Sequence, residues 1–228
     1  MSQAKLYRFD NYELLSIPCG PVETNSFIVI DRKNSVCIIF DVPFQSFDII
    51  DSYLEKERLR VKDIYLTHSH WDHFGDANLF RDKYKCSVYV SKIDEYRMLD
   101  PMSYIGFPMG IDIPVTKPDD YLETEGTLTA LGIDFQVLHV PGHTEGSLCF
   151  VDRANKIVIA GDTLFKGSIG RTDLHGGDMA TLLSSIREQL FTLPDDYTVL
   201  SGHGPATTIG FEKKYNQFVG DKRMEIGY

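Results

Sequence analysis

Three histidines and an aspartate crowd into six residues, His68-Ser69-His70-Trp71-Asp72-His73, directly after the apolar stretch Ile64-Tyr65-Leu66. A set of polar side chains this dense can sit at the end of a core strand only if something satisfies it, because a buried polar group without a partner is costly. In extended backbone, residues i and i+2 project to the same side, so His68 and His70 can bind one ion together as the strand ends. Asp72 and His73 follow where the chain turns, and the change of direction lets them reach a second point nearby. The spacing describes two adjacent metal ions rather than one.

The segment alone does not complete the coordination of two ions, so further ligands must come from distant loops. Three polar residues each follow a strand-like run and sit beside glycine: His143 in Val140-Pro141-Gly142-His143-Thr144, Asp162 in Ala160-Gly161-Asp162-Thr163, and His203 in Gly202-His203-Gly204-Pro205. Glycine permits unusual dihedrals and close backbone approach, and loops at strand ends are where a rigid scaffold carries function. A ligand histidine also needs its second ring nitrogen oriented, and Thr67, Thr144, Thr163 and Asp41 are candidates for that task, with turn capping as the competing role of the threonines. His139 shares the alternation of Phe135 and Val137 and reads as a packed strand residue, while His175, before Gly176-Gly177, reads as a solvated loop residue. Trp71, the only tryptophan, lies between two ligands as a pocket wall or a core residue.

Alternation and β-branched enrichment predict strands near 12–17, 26–30, 36–41, 64–67 and 87–90, then 128–130, 135–140, 147–151, 157–160 and 199–201. Apolar residues at three-to-four spacing predict helices over 45–56, 75–84 and 179–190. Pro101, Pro108, Pro114 and Pro118 interrupt an apolar stretch from Asp100 to Asp120, which predicts a packed loop or lid carrying Tyr104, Phe107 and Met109. Strands with helices between them favour one domain over 1–228, an α/β chain built as a layered sheet-on-sheet core with helices outside.

Charge and cysteine usage narrow the partners. A net charge of −10 repels phosphate backbones and anionic membranes, so neither nucleic acid nor membrane is an expected partner. The apolar runs are strand-length, and the N-terminal residues lack a secretory pattern, which leaves the cytoplasm as the expected compartment. Cys19, Cys37, Cys86 and Cys149 form no CxxC pair and read as reduced, with Cys37 and Cys149 inside apolar strands.

The motifs HSHWDH, PGHT, GDTLF and SGHGP, in this order, resemble the metallo-β-lactamase superfamily, and the GRTD and GHGPATTIGF segments resemble its short glyoxalase II-like (hydroxyacylglutathione hydrolase-like) hydrolases. The resemblance implies an αββα sandwich of two mixed sheets with the site at one edge. It further implies that His68, His70 and His143 hold one metal ion, Asp72, His73 and His203 the other, and that Asp162 bridges both. Two dications about 3.5–4 Å apart can share one oxygen and lower its pKa from about 15.7 toward 7, which yields a hydroxide at neutral pH. The expected activity is hydrolysis of a small-molecule thioester such as an acyl-glutathione, with Asp72 steadying the nucleophile. Zinc is the first candidate for both divalent ions, with iron and manganese as alternatives because mixed imidazole and carboxylate sites accept all three.

Alternatives remain within and beyond this reading. Persulfide dioxygenases of the superfamily share HxHxDH and GRTD but use one iron held by two histidines and an aspartate, and a non-catalytic metal-binding module would keep the ligands without the reaction. The β-lactamase branch usually carries a cysteine where this chain has Asp162. Longer glyoxalase II enzymes add a C-terminal helical domain with glutathione contacts, whereas 25 residues follow His203 here. Arg171 and Asp173 of GRTD are expected to brace their loop by an ion pair, with an anionic substrate as the competing partner of Arg171. Oligomeric state is left open.

Overall fold

The run Val36-Cys37-Ile38-Ile39-Phe40 shows how the layers arise. Every residue of it is buried, yet its side chains alternate: Cys37 and Ile39 pack outward against Ile50 and Leu54, while Ile38 and Phe40 pack inward against Phe135 and Phe150. A strand apolar on both faces needs cover on both, which a second sheet and a helix supply. The computed structural model describes residues 4–105 and 110–221.

The first sheet has the order β1 (Lys5–Arg8), β2 (Glu13–Cys19), β3 (Thr24–Asp31), β4 (Val36–Phe40), β5 (Arg60–Tyr65), β6 (Ser87–Ser91) and β7 (Asp120–Leu122). It is antiparallel from β1 to β4 and parallel from β4 to β7. Parallel neighbours need crossovers. These contain α1 (Phe47–Glu57), then α2 (Trp71–Phe74) with α3 (Ala77–Tyr84), then α4 (Glu95–Leu99) with α5 (Pro101–Tyr104). The second sheet comprises β8 (Gly126–Ala130), β9 (Ile133–His139), β10 (Leu148–Asp152), β11 (Ile157–Gly161), β14 (Thr198–Ser201) and β15 (Thr207–Thr208), in the spatial order β15-β14-β11-β10-β9-β8. Only β11 and β14 pair in parallel, and α6 (Met179–Ser185) lies in the crossover between them. A small hairpin of β12 (Leu164–Phe165) and β13 (Ser168–Ile169) follows β11, and α7 (Ile209–Tyr215) follows β15.

Three apolar clusters correspond to the three interfaces of an αββα sandwich. Between the sheets, Phe40 lies with its ring centroid 5.4 Å from Phe135, 4.8 Å from Phe150 and 5.7 Å from Tyr65. Outside the first sheet, Ile50 and Leu54 of α1 and Phe80 of α3 cover Ile39, Ile64 and Val88. Outside the second, Leu182 of α6 and Ile186 and Leu190 beyond it cover Val158, Ala160 and Val199. All four cysteines are free and buried. No helix among the described residues is long and apolar enough to cross a membrane.

The predicted strands all form, with ends shifted by up to four residues. The strand expected to reach Thr67 stops at Tyr65, and the helix expected from Gly75 begins at Ala77 behind the separate single turn of α2. The predicted helix over 179–190 is α-helical only to Ser185 and continues as a π-helical turn, Ile186–Leu190. The proline-rich stretch opens with the single helical turn α5, which Pro101 starts at a position where no N–H is needed, and where described it then runs as a packed loop: Ile105 and Ile113 are buried and Thr116 N donates to the Met98 carbonyl at 2.9 Å. Phe107 and Met109 lie outside the described residues.

Replacing Phe40 by alanine is expected to lower the unfolding free energy by about 3–5 kcal/mol, the range for deleting a buried aromatic ring. Phe211→Ala, at a residue 39% exposed, should change it by about 0.5 kcal/mol or less. Urea denaturation of both variants checks the contrast.

Candidate metal centre

Five ligand-bearing segments end at the same edge of the sandwich. β5 runs into the loop of His68 and His70, and Asp72 and His73 lie in α2. His143 follows β9, Asp162 follows β11 and His203 follows β14. Two glycines allow the close approach. Gly142 adopts a φ of 124°, and a Cβ on it would collide with the backbone of Leu182. A Cβ on Gly202 would collide with Asp162 Oδ1 and come within 2.8 Å of His73 Cε1.

The structure brings all seven sequence-predicted residues together. His68, His70 and His143 form one group of potential ligand atoms within 4.8 Å of one another; Asp72, His73 and His203 form a second, and His68, His73 and Asp162 a third. His143 Nε2 stands 2.9 Å from His70 Nδ1 and 3.2 Å from His68 Nε2. Asp162 lies between the halves, with Oδ1 3.3 Å from His73 Nε2 and Oδ2 3.6 Å from His143 Nε2 and 3.4 Å from His203 Nε2. Asp72 Oδ2 stands 3.2 Å from His203 Nε2.

The partners of the outward ring nitrogens fix which atom of each histidine faces the centre. His143 Nδ1 lies 2.7 Å from the Arg171 carbonyl, His203 Nδ1 3.1 Å from the Val22 carbonyl and His73 Nδ1 2.8 Å from Asp41 Oδ2. Each acceptor requires an N–H at Nδ1, which leaves Nε2 to carry the lone pair when the ring is neutral. Thr67 Oγ1 donates to Asp41 Oδ2 at 2.8 Å, so it can accept from His68 Nδ1 at 3.1 Å. Four lone pairs thus face the cluster, the arrangement of metal-ligating histidines.

Two buried atoms test whether a cation fits. His73 Nε2 and Asp162 Oδ1 lack any hydrogen-bond partner, although they lie within ion-pair distance of each other. Orphaned buried polar atoms of ligand type, aimed at one point, fit a metal ion.

The two halves differ in charge. Burial, reinforced by neighbouring histidines, holds His68 and His70 well below the ordinary histidine range, and burial also lowers His143. Burial opposes charge on His73 too, but the carboxylates of Asp162, Asp41 and Asp72 outweigh it and raise that ring well above the ordinary range. His203, likewise opposed by burial, is pushed up to about 10 by Asp162 and Asp72. Asp72 falls to about 2 because His73 and His203 outweigh its desolvation, and the same two residues hold Asp162 well below the carboxylate range. Protons therefore compete with a cation at the second half and not at the first.

Of the candidate orienting groups, Asp41 and Thr67 reach ligand histidines. Asp41 adopts a φ of 61°, a strained conformation for a non-glycine residue that the hydrogen bonds from Thr67 N and Ser26 Oγ stabilise. Thr163 instead bonds the Ala160 carbonyl at 2.8 Å as a turn cap, and Thr144 bonds Asp94. Arg171 and Asp173 form a two-pronged ion pair at 2.7 and 2.8 Å. Trp71 is both core and pocket wall. His139 packs on its strand with Nε2 2.8 Å from the Glu145 carbonyl, and His175 is exposed but lies against the rings of Tyr96 and Tyr104.

Sequence reading missed Thr24 and Asn25. Asn25 Nδ2 donates to the Ser201 and Gly204 carbonyls, each at 2.9 Å, and so fixes the His203 loop, while Thr24 Oγ1 donates to Asp72 Oδ2 at 3.2 Å. The polar run Thr24-Asn25-Ser26, opening a strand that continues as Phe27-Ile28-Val29-Ile30, was the available signal.

Affinity of the Asp72, His73 and His203 group for a cation should rise with pH over the interval up to about 10, where His203 loses the proton that a cation replaces, and the raised His73 acts in the same direction. The affinity of the His68, His70 and His143 group should stay flat above pH 7. Competition with a chromophoric chelator across that interval measures both.

A cavity of about 370 Å³ opens onto His70, Asp72, His143, Asp162 and His203. A larger groove of about 680 Å³, lined by Gly132, Asp134, Arg153 and Asn155, lies at the opposite ends of β9 and β10 and is remote from these ligands. Comparison with known proteins agrees with the geometry. The chain is 34% identical over 208 residues to the hydroxyacylglutathione hydrolase GloC of Haemophilus influenzae, covering 90% of this chain and 97% of that protein. The solved structure of BLEG-1, described as a B3 metallo-β-lactamase, superposes with a TM-score of 0.84 at 38% identity, covering 90% of this chain and 98% of that one. TTHA1623 in a di-iron-bound form gives a TM-score of 0.79 at 31% identity, covering 89% and 98%. Residues 19–203 match the family model of the metallo-β-lactamase superfamily, and with that match, the αββα layers and the converging ligands, the chain belongs to this superfamily.

Proposed function

We propose that this protein is a binuclear metal-dependent hydrolase of a small-molecule thioester such as an acyl-glutathione. The observation that carries the reading is Asp162, whose carboxylate lies between His143 on one side and His73 and His203 on the other. His68, His70 and His143 would hold one ion, Asp72, His73 and His203 the other, with Asp162 shared. Bound dications supply a Lewis acid for the carbonyl oxygen and a water ionised near neutral pH. Imidazole and carboxylate donors suit zinc first, with iron and manganese as alternatives, and the di-iron form of TTHA1623 supports a paired centre.

The chain's own residues favour a thioester. Trp71, Ile105, Phe165, Ile169 and Leu174 give the cavity apolar walls that can hold an acyl or thioalkyl group and exclude bulk water from it. Asp72 Oδ2, steadied by Thr24 Oγ1 at 3.2 Å, is placed to accept a hydrogen bond from an attacking water and so to orient it. Asp72 and Asp162 are held ionised, so neither is a ready acid for a departing group. A thiol with pKa about 8.5 leaves as thiolate without one, whereas an amine needs a proton. The similarity to GloC, along 97% of that protein's length, supports glutathione thioesters. Arg171 lines the cavity but is engaged by Asp173.

The similarity to BLEG-1 favours a second reading, β-lactam hydrolysis, and the superfamily's one-iron persulfide dioxygenases supply a third. The purified protein should contain close to two metal ions per chain and hydrolyse thioesters in a panel that also holds lactones, phosphodiesters, β-lactams and a persulfide under oxygen monitoring. Asp162→Ala should reduce thioester turnover by more than the 10–100-fold (roughly) typical of losing an outer-shell partner. Lactam turnover without thioester hydrolysis, or oxygen uptake with one iron per chain, would reject the proposal.

A further inference from the structure

Asp94 stands outside the ligand set yet touches both loops that supply His68, His70 and His143. It closes the single 3-10 turn Lys92–Asp94 after β6, and it is fully buried. Its carboxylate accepts four hydrogen bonds. Oδ2 takes Ser69 N at 3.1 Å and Thr144 Oγ1 at 2.8 Å; Oδ1 takes Gly146 N at 2.7 Å and Arg97 Nη1 at 2.9 Å. Ser69 separates His68 from His70, and Thr144 follows His143, so one carboxylate spans the two loops whose histidine nitrogens meet at 2.9 Å. Gly146 makes the approach possible, since a Cβ there would lie 2.6 Å from Asp94 Oδ1.

Arg97, 2% exposed, supplies the countercharge. Its Nη2 donates to the Glu145 carboxylate and, at 2.9 Å, to the His175 carbonyl, and its guanidinium lies 4.5 Å from the centroid of the Tyr96 ring. A buried ion pair contributes little net stability compared with apolar packing, so its value here is directional: charge-assisted hydrogen bonds fix where the loops sit. Asp41 reaches both halves, through His73 Nδ1 and through Thr67 beside His68, and Asn25 fixes the loop of His203, whereas the four hydrogen bonds of Asp94 go to neither His73 nor the His203 loop.

We propose that Asp94, held by Arg97, is a positioning residue that sets the separation of the two loops carrying His68, His70 and His143, and so governs one cation position and not the other. The inference rests on the reading of the centre as a metal pair. Its test uses full-length protein stripped of metal and titrated with cobalt(II), read by chelator competition and by the visible absorption of the bound ions, with thermal unfolding of the metal-free proteins alongside. Wild type should take up two ions. Asp94→Ala should weaken one of them about 10–100-fold and leave the affinity and spectrum of the other unchanged. Thr144→Val, which removes one donor without removing the carboxylate, should weaken the same ion, and Thr144→Ser should restore it. The Thr144 pair decides the matter if Asp94→Ala does not fold. Equal loss of both ions in step with thermal stability, no loss, or failure of serine to rescue would overturn this inference alone. Fewer than two ions in wild type would overturn the metal-pair reading and this inference with it.

Discussion

Five imidazoles and two carboxylates meet at one edge of this fold, and most of their atoms are removed from water. Desolvation on that scale is unfavourable unless the groups satisfy one another or a cation satisfies them all. Mutual satisfaction is incomplete here, because His73 Nε2 and Asp162 Oδ1 find no hydrogen-bond partner. The rest of the structure can be read as the means of holding that set together. Two sheets with buried faces give rigid strand ends, glycines let loops approach within van der Waals contact, and oxygen acceptors on the outer side of four rings fix their orientation.

The electrostatic difference between the halves bears on chemistry. Burial keeps His68, His70 and His143 in the neutral range, so they are ready ligands near neutral pH. His73 and His203 face Asp72 and Asp162, and without a cation their protons balance those carboxylates. A dication that replaces the protons keeps the carboxylates ionised. On the proposed reading, the site would then combine a strong electrophile with anions that cannot act as acids, a pairing suited to bonds whose leaving group departs as an anion.

How much of this was legible in the sequence depended on distance along the chain. The density of His68, His70, Asp72 and His73 is local and speaks for metal directly, and alternation with β-branched enrichment placed the longer strands of both sheets, though not β1, β7 or β15. His143, Asp162 and His203 were visible because each combines a strand-like run, a glycine and a polar residue. The family resemblance then assigned them to halves; in three dimensions His68, His70 and His143 form one group, Asp72, His73 and His203 another, and His68, His73 and Asp162 a third that crosses the division. What stayed hidden is nonlocal. Asn25 fixes a loop 176 and 179 residues away, and Asp94 bonds Thr144 across 50 residues, contacts with no signature in a short window. The edge strands β1 and β7 are four and three residues long and partly exposed, too short for periodicity to register. Thr163 misled as an orienting group because a hydroxyl beside a ligand serves equally well as a turn cap, which is its role here.

Anomalous diffraction from crystals of the metal-loaded protein tests the central claim most directly. The account predicts two peaks about 3.5–4 Å apart, one against His68, His70 and His143 and the other against Asp72, His73 and His203, with the Asp162 carboxylate between them. A single peak at full occupancy under excess metal, or a second peak away from His73 and His203, would contradict it.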